Sequence, residues 1–470
     1  MVLSSIQKKA QAGEVEQAQL LLVEFLTDLF PLKIASVQIR RDSLSLNSVN
    51  GFIYLREPDV KTGANELFFK FHHEENEDVL KEYYNSQLLQ DGGFPVEMPV
   101  YASQEVGKQV LLYQVKKAER LFDVCKRNEF SGAEFADVIK AQEDFDDLSC
   151  ARYLDSLHLA GQEELQEEPI LQLFYNRLVD DAALPLPLGE GRGEGSLSNN
   201  GTIKRGETSL TPALSQRERG QFGGRFVQFY QDKDFIFSEC TINFNELKNL
   251  KWRINGIEYK ETLHEAFVKA LNILSPKAHL SAENKYPALV AHGDAHNGNV
   301  WFNAGNPPSL SLFDPAFAGL HIPALLAEIK TTFHNIFAHP LWLYDSVEAD
   351  KNLDVSLKIK DNYVEITHNW QLSPLREAFL TSKQERIWKP LLQKLKYENL
   401  LPENWQDYMR SALFCCPSLV MNLRSYAGNN NNFHTQKTSA LGLSISMMLS
   451  SAPVNGNDVV SNFFAKVQPK

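Results

Sequence analysis

Apolar residues recur at helical spacing over residues 15–30 (VEQAQLLLVEFLTDLF), which predicts an amphipathic helix near the start of the chain. The pattern then turns to alternation. Residues 36–57 read as two antiparallel strands joined by a turn at Asn47, Ser48, Asn50 and Gly51. Residues 66–73 (ELFFKFHH) predict a short aromatic-rich strand. Residues 74–90 predict a helix whose first-turn acids suit the positive end of the helix dipole, and Gly92 and Gly93 stop it. Residues 99–104 and 108–115 read as another strand pair. A helical segment (1–30) therefore precedes a mostly antiparallel β unit with one helix (31–118).

From residue 119 onward the texture is helical, with the helical period carried by residues 133–160, 264–274, 324–337, 376–395, 405–423 and 438–449. One hairpin interrupts it, residues 299–303 and 310–315 around the turn sequence AGNPPS. A polar loop is expected at 428–432. The expected fold class is α+β, a small antiparallel unit followed by a larger, mainly helical body over 119–470.

Residues 182–224 fit neither period and are too long for an ordinary internal loop. Nine of the chain's 25 glycines fall there. If residues 185–191 (PLPLGEG) are encoded CCT CTC CCT TTG GGA GAG GG, the complementary DNA strand encodes LSQRER, the sequence of residues 214–219. The two ends then correspond to the arms of one palindromic DNA element, and the segment resembles a translated repeat of that kind. The alternative is a Gly/Ser/Arg-rich functional loop. Either origin predicts an exposed, flexible insertion between the apolar-periodic runs 169–179 and 225–237.

Composition narrows the function classes. With 470 residues, 43% hydrophobic and 23% charged, the chain can bury a large core, and wholesale disorder is excluded. A net charge of −12 argues against a general nucleic-acid binder, which needs a basic face. The inserted segment is nearly neutral, so the acidic balance belongs to the rest. The five cysteines form no CxxC pair, which disfavours a disulfide framework or a zinc ribbon. The first residues lack the apolar stretch of a signal peptide and no apolar run has spanning length, so a cytoplasmic protein with no membrane partner is expected.

The strongest chemical signal is LVAHGDAHNGNVWF (289–302) followed by FDPA (313–316). A buried strand leads into a turn carrying His292, Asp294, His296 and Asn299, and the hairpin returns Asp314 beside Asn299. Asn299 and Asp314 are suited to Mg²⁺, which prefers oxygen ligands and is usually held by one or two carboxylates plus substrate phosphates. Asp294 is left to accept a proton from an attacking hydroxyl.

HGDAHNGNV with FDPA resembles the catalytic and metal-binding loops of the aminoglycoside phosphotransferase and choline kinase families, which share the bilobal protein-kinase-like fold. The resemblance implies Asp294 as catalytic aspartate, Asn299 and Asp314 as Mg²⁺ ligands, and His292 packed behind the loop to fix its backbone. His296 would be structural or substrate-facing. Upstream it implies Lys70 on the nucleotide phosphates, paired with Glu82, with Glu77 the alternative partner. Backbone groups around Gln114 and Val115 would take the base. Residues 47–51 (NSVNG), including Ser48 and Gly51, would cover the phosphates, although they depart from GxGxxG. The resemblance spans residues 44–328. It implies ATP or GTP as donor, Mg²⁺, and a small hydroxyl-bearing acceptor such as an amino sugar or amino alcohol. Selectivity would lie in the helices after Gly319, with His321 and Glu328 first in line.

Lys70 alone would be an ordinary solvated lysine, and Glu82 an ordinary surface acid. His72 and His73, beside Glu74 and Glu75, would point to opposite faces of a strand and so make no zinc site. A metal-dependent phosphoesterase would need GDxxDR and GNH motifs, which the sequence lacks. The remaining alternative is a nucleotide-binding pseudokinase or regulatory protein without turnover.

Overall fold

The computed structural model describes residues 2–40, 49–71, 80–105, 107–132, 134–179, 222–275, 285–427 and 433–470. Asn47, Ser48, the alternative partner Glu77, the His72–Glu75 group, residues 182–221 of the inserted segment and residues 428–432 lie outside them. The protein is a mixed α+β structure with antiparallel sheets and many helices, organised around two hydrophobic cores.

The first core belongs to the N-terminal unit. Helices α1 (Val2–Gln11) and α2 (Val15–Leu29) turn at Gly13, whose φ of +83° suits a residue without a side chain. Helix α1 lies within the helical segment expected over 1–30 and buries Leu3, Ile6, Gln7 and Ala10. The α2 stripe of Ala18, Leu22, Phe25 and Leu26 joins the same core as the sheet. That sheet contains β1 (Ile34–Ile39), β2 (Val49–Leu55), β3 (Glu66–Phe71), β4 (Tyr101–Ser103) and β5 (Val110–Gln114), with α3 (Leu80–Asp91) between β3 and β4. The spatial order is β1-β2-β3-β5-β4, antiparallel throughout. Alternation decides which way Lys70 points. Leu67, Phe69 and Phe71 of β3 face the core, so Lys70 faces the opposite side.

Gly51 lies within β2, paired with Ile39 and Phe69, rather than at the tip of a phosphate-covering turn. A Cβ there would sit 2.0 Å from the Gln38 carbonyl oxygen, so glycine is needed for strand approach.

The second core is larger. Short β6 (Glu119–Arg120) leads into α4 (Leu121–Ser131), then α5 (Ala136–Asp155). The helical pattern expected over 133–160 stops at Asp155, because His158–Ala160 (β7) pairs with Tyr286, Pro287 and Ala288. The strand Tyr286–Ala291 thus becomes the centre of a three-stranded sheet, with β7 on one side and Gly319–Pro323 on the other. The expected hairpin forms as Val300–Asn303 against Ser309–Leu312, and β6 pairs with its outer edge. Phe222 to Gly224, the last residues of the inserted segment, belong to this core's edge: Phe222 stacks on Phe226 and Gly223 N–H donates to the Leu178 carbonyl.

A four-stranded sheet in the helical body was not expected. Its order is Ile257–Glu258, Lys251–Ile254, Tyr363–His368 and Val355–Lys360. The signal was present in VSLKIK-DN-YVEITH, where Asp361 and Asn362 adopt φ of +50° and +66°, the two-residue hairpin turn that follows the strand twist. Helices Trp405–Val420 and Gln436–Ser450 run buried through the body. Among the described residues, no helix is long and apolar enough to cross a membrane.

Burial pushes the His368 and His434 imidazoles from 6.5 down to about 4. Unfolded, each binds a proton near pH 6.5; folded, only near pH 4. Their contribution to stability is therefore complete above pH 6.5 and is lost as pH falls through that window, at about 3 kcal/mol for one such histidine. Melting temperatures of the wild type should fall steeply from pH 7 to pH 4.5, and those of His434→Gln less steeply. An unchanged slope in the variant would remove His434 from this account.

Candidate active site

The strand Tyr286–Ala291 is buried along nearly its whole length and ends at His292. Gly293 turns the chain with φ of +73°, and a Cβ there would lie 2.5 Å from the Phe317 carbonyl oxygen. Only glycine permits both the turn and this approach. His292 accepts from the Asp294 N–H through Nδ1 at 3.2 Å, and its Nε2 lies 3.1 Å from the Phe313 carbonyl oxygen. One ring nitrogen accepts and the other donates, as a neutral imidazole requires. Burial supports that form by lowering the His292 pKa. The histidine ties the turn carrying Asp294 to the loop carrying Asp314.

Asn299 closes the same turn. Its Nδ2 donates to the Asp294 carbonyl at 3.0 Å, while its own carbonyl accepts from Phe313 N–H at 3.0 Å. Asp314 follows at φ +53°, a left-handed conformation uncommon for a residue with a side chain. Trp301 stacks on Phe313 at 4.4 Å between ring centres and steadies the hairpin end.

Lys70 reaches this loop from β3. Its Nζ lies 2.6 Å from Glu82 Oε2 on α3 and 3.0 Å from Asp314 Oδ1. Burial opposes the charge on Lys70, yet Asp314 and Glu82 raise its pKa above the usual value. Burial likewise opposes the charge on Asp314, and the Lys70 charge and hydrogen bond hold its pKa below the ordinary carboxylate value. Two further residues, not singled out from the sequence, support the arrangement. Tyr113 on β5 donates to Glu82 Oε1 at 2.7 Å, and Asn85 on α3 donates to the Pro315 carbonyl at 2.8 Å. Neither type at those positions carries a pattern that sequence reasoning can detect.

Asp294 is 1% exposed. Its Oδ1 lies 2.9 Å from Lys330 Nζ and 3.8 Å from His296 Nε2. His296 accepts from Gly298 N–H through Nδ1 at 3.0 Å and lies beside His334, 5.6 Å between rings. Asn297 fixes the turn from below, its N–H donating to Asn335 Oδ1 at 2.7 Å.

Gln114 ends β5 opposite Leu67, and Val115 begins the connection to β6. Asn299 and Asp314 together offer one amide and one carboxylate oxygen ligand, a hard donor set that fits a magnesium ion completing its shell with water and phosphate oxygens. Among the described residues no group of three or more His, Cys, Asp or Glu is arranged to hold a metal ion.

The two residues first in line for selectivity sit in different surroundings. Glu328 is 1% exposed and inward-facing, bonded to Tyr153, to Thr331 and, at 2.7 Å, to Lys383. Lys383 also lies 2.7 Å from Asp146, so one ammonium serves two buried carboxylates. His321 pairs with His158 at 2.8 Å, and its N–H donates to Glu168 at 2.6 Å. Glu328 is shut inside the structure behind the site, whereas His321 remains half-buried.

The chain matches no protein-family model and no curated protein.

Replacing Gly293 should uncouple the two loops. Gly293→Ala is expected to lower stability by about 1–3 kcal/mol, from left-handed strain plus the clash with Phe317. Denaturant unfolding measures it, and a neutral result would mean the turn relaxes freely.

Proposed function

We propose that the protein is a Mg²⁺-dependent small-molecule kinase with the bilobal arrangement of the aminoglycoside phosphotransferase and choline kinase families. The observation that carries this reading is the Lys70 ion-pair set: a lysine from the antiparallel sheet, a glutamate from α3 and an aspartate from the loop after the hairpin meet within 3.0 Å. Packing has little reason to bring these three charges together, because burying them is costly. Nucleotide phosphates give a reason.

In this reading Lys70 turns to the α and β phosphates, held in direction by Glu82. Asn299 and Asp314 would hold Mg²⁺, whose chemistry there would be to offset phosphate charge. Backbone groups around Gln114 and Val115 receive the base of ATP or GTP. Asp294, five residues before Asn299, takes the proton of the acceptor hydroxyl as its oxygen attacks phosphorus. His292 keeps both loops in register throughout, since its hydrogen bonds involve neither substrate. The acceptor is a small hydroxyl compound, with amino sugars and amino alcohols the first to try.

A phosphotransfer screen of alcohols and amino sugars with ATP and GTP tests the reading. Asp294→Asn should lower turnover by about 10²–10⁴-fold while retaining Mg-ADP binding. Asp314→Ala should abolish the Mg²⁺ dependence of nucleotide binding, read by calorimetry with and without the metal. Wild-type turnover in Asp294→Asn would refute the assigned base; nucleotide binding without any transfer would favour a pseudokinase.

A further inference from the structure

We propose that Lys330 is a positioning residue of this site: its ammonium holds the Asp294 carboxylate in the orientation from which it takes the acceptor's proton. The inference rests on the kinase reading and adds a cation that neither the HGDAHNGN turn nor the FDPA loop contains as lysine or arginine.

Three observations carry it. Lys330 Nζ lies 2.9 Å from Asp294 Oδ1, and both side chains are 2% exposed. Exposed ion pairs contribute little because water competes; this pair is shielded from that competition. Second, the ammonium stands 4.6 Å from the centre of the Phe317 ring, three residues beyond Asp314. It is thus packed between the turn bearing Asp294 and the far end of the loop bearing Asp314, with an aromatic face as a second source of attraction. Third, the short helix Ile329–Thr332 that carries Lys330 is fixed from its other side. Glu328 and Thr331 are tied into the buried group of Tyr153, Asp146, Ser382 and Lys383. A lysine stem is ordinarily flexible, but this one is sealed in the core on an anchored turn.

The chemistry asks for such a group. The acceptor oxygen forms its bond to the γ-phosphorus as the bond to the bridging β-phosphate oxygen breaks. That electron pair leaves with the nucleoside diphosphate, and the hydroxyl proton passes to Asp294. Lys330 remains protonated throughout. A carboxylate shut away from water is strongly disfavoured without a counter-charge, and one free to rotate loses the alignment that proximity catalysis depends on. Lys330 supplies the counter-charge at 2.9 Å, and its anchored turn fixes the side from which that charge draws the carboxylate. His296, at 3.8 Å, lies beyond hydrogen-bonding distance of the same oxygen.

A purely structural lysine predicts something different, namely that its loss damages folding and every ligand affinity together. The test uses the full chain with Lys330→Met and Lys330→Arg. The measurements are thermal melting, Mg-ADP affinity by calorimetry, and ADP formation from Mg-ATP with a mixed panel of small alcohols, polyols and amino alcohols. Lys330→Met is expected to lose about tenfold or more in kcat, with KM for ATP and Mg-ADP affinity within about threefold of wild type, and Lys330→Arg to recover part of the loss. Turnover at the wild-type rate in Lys330→Met overturns the proposal, as does parallel loss of Mg-ADP binding. Should methionine leave the chain unfolded, Lys330→Gln decides by the same split. A wild type that neither binds Mg-ADP nor forms ADP refutes the kinase reading itself and the part given to Lys330 with it; binding with failure confined to the variants leaves the kinase reading standing.

Discussion

Everything at the candidate site hangs on how a few charges are kept out of water. Lys70 is one case: its stem emerges from the sheet face opposite the first core, and its part-buried ammonium meets two carboxylates from separate segments. Removing either carboxylate would leave a half-buried charge short of a partner, which is why such pairs specify geometry even when their net contribution to stability is small. The pairing draws β3, α3 and the Asp314 loop to one point. Tyr113 and Asn85 then limit how α3 can move relative to the loop.

A second constraint acts on the backbone. His292 is buried, neutral and doubly hydrogen-bonded, and Gly293 beside it allows two loops to approach to a distance that any side chain would forbid. Asp294 inherits its position from these two neighbours. Lys330 approaches Asp294 from a helix whose opposite side is fixed by the Glu328, Lys383 and Asp146 group, so the second charge cluster stands behind the first. The site is therefore a pair of turns braced by ion pairs from two directions.

The sequence disclosed these parts unevenly, for identifiable reasons. Alternation over 31–118 was enough to predict five antiparallel strands and a helix, since one face of the sheet covers a core and the other does not. Alternation also marked 355–368, yet the expectation of a helical body obscured it. The end of the 133–160 pattern became a strand because its pairing partner lies far along the chain. Gly51 was assigned to a turn by residue type, whereas close strand approach explains it. Glu328 and His321 stand close in sequence to Asp314, yet Glu328 is buried in a charge group of its own while His321 is half-buried against His158.

By itself the sequence determined what is local: which segments alternate or repeat with the helical period, and which short run holds His292, Asp294, Asn299 and Asp314 at spacings that one turn and one hairpin bring together. Tertiary structure decided the rest. That Lys70 sits between Glu82 and Asp314, that Lys330 reaches Asp294, and that Glu328 faces inward depend on contacts between residues far apart in the chain. Local propensity and periodicity carry no information about which distant charge will share a buried space, because that choice is made by core packing and by the cost of leaving a charge unpaired.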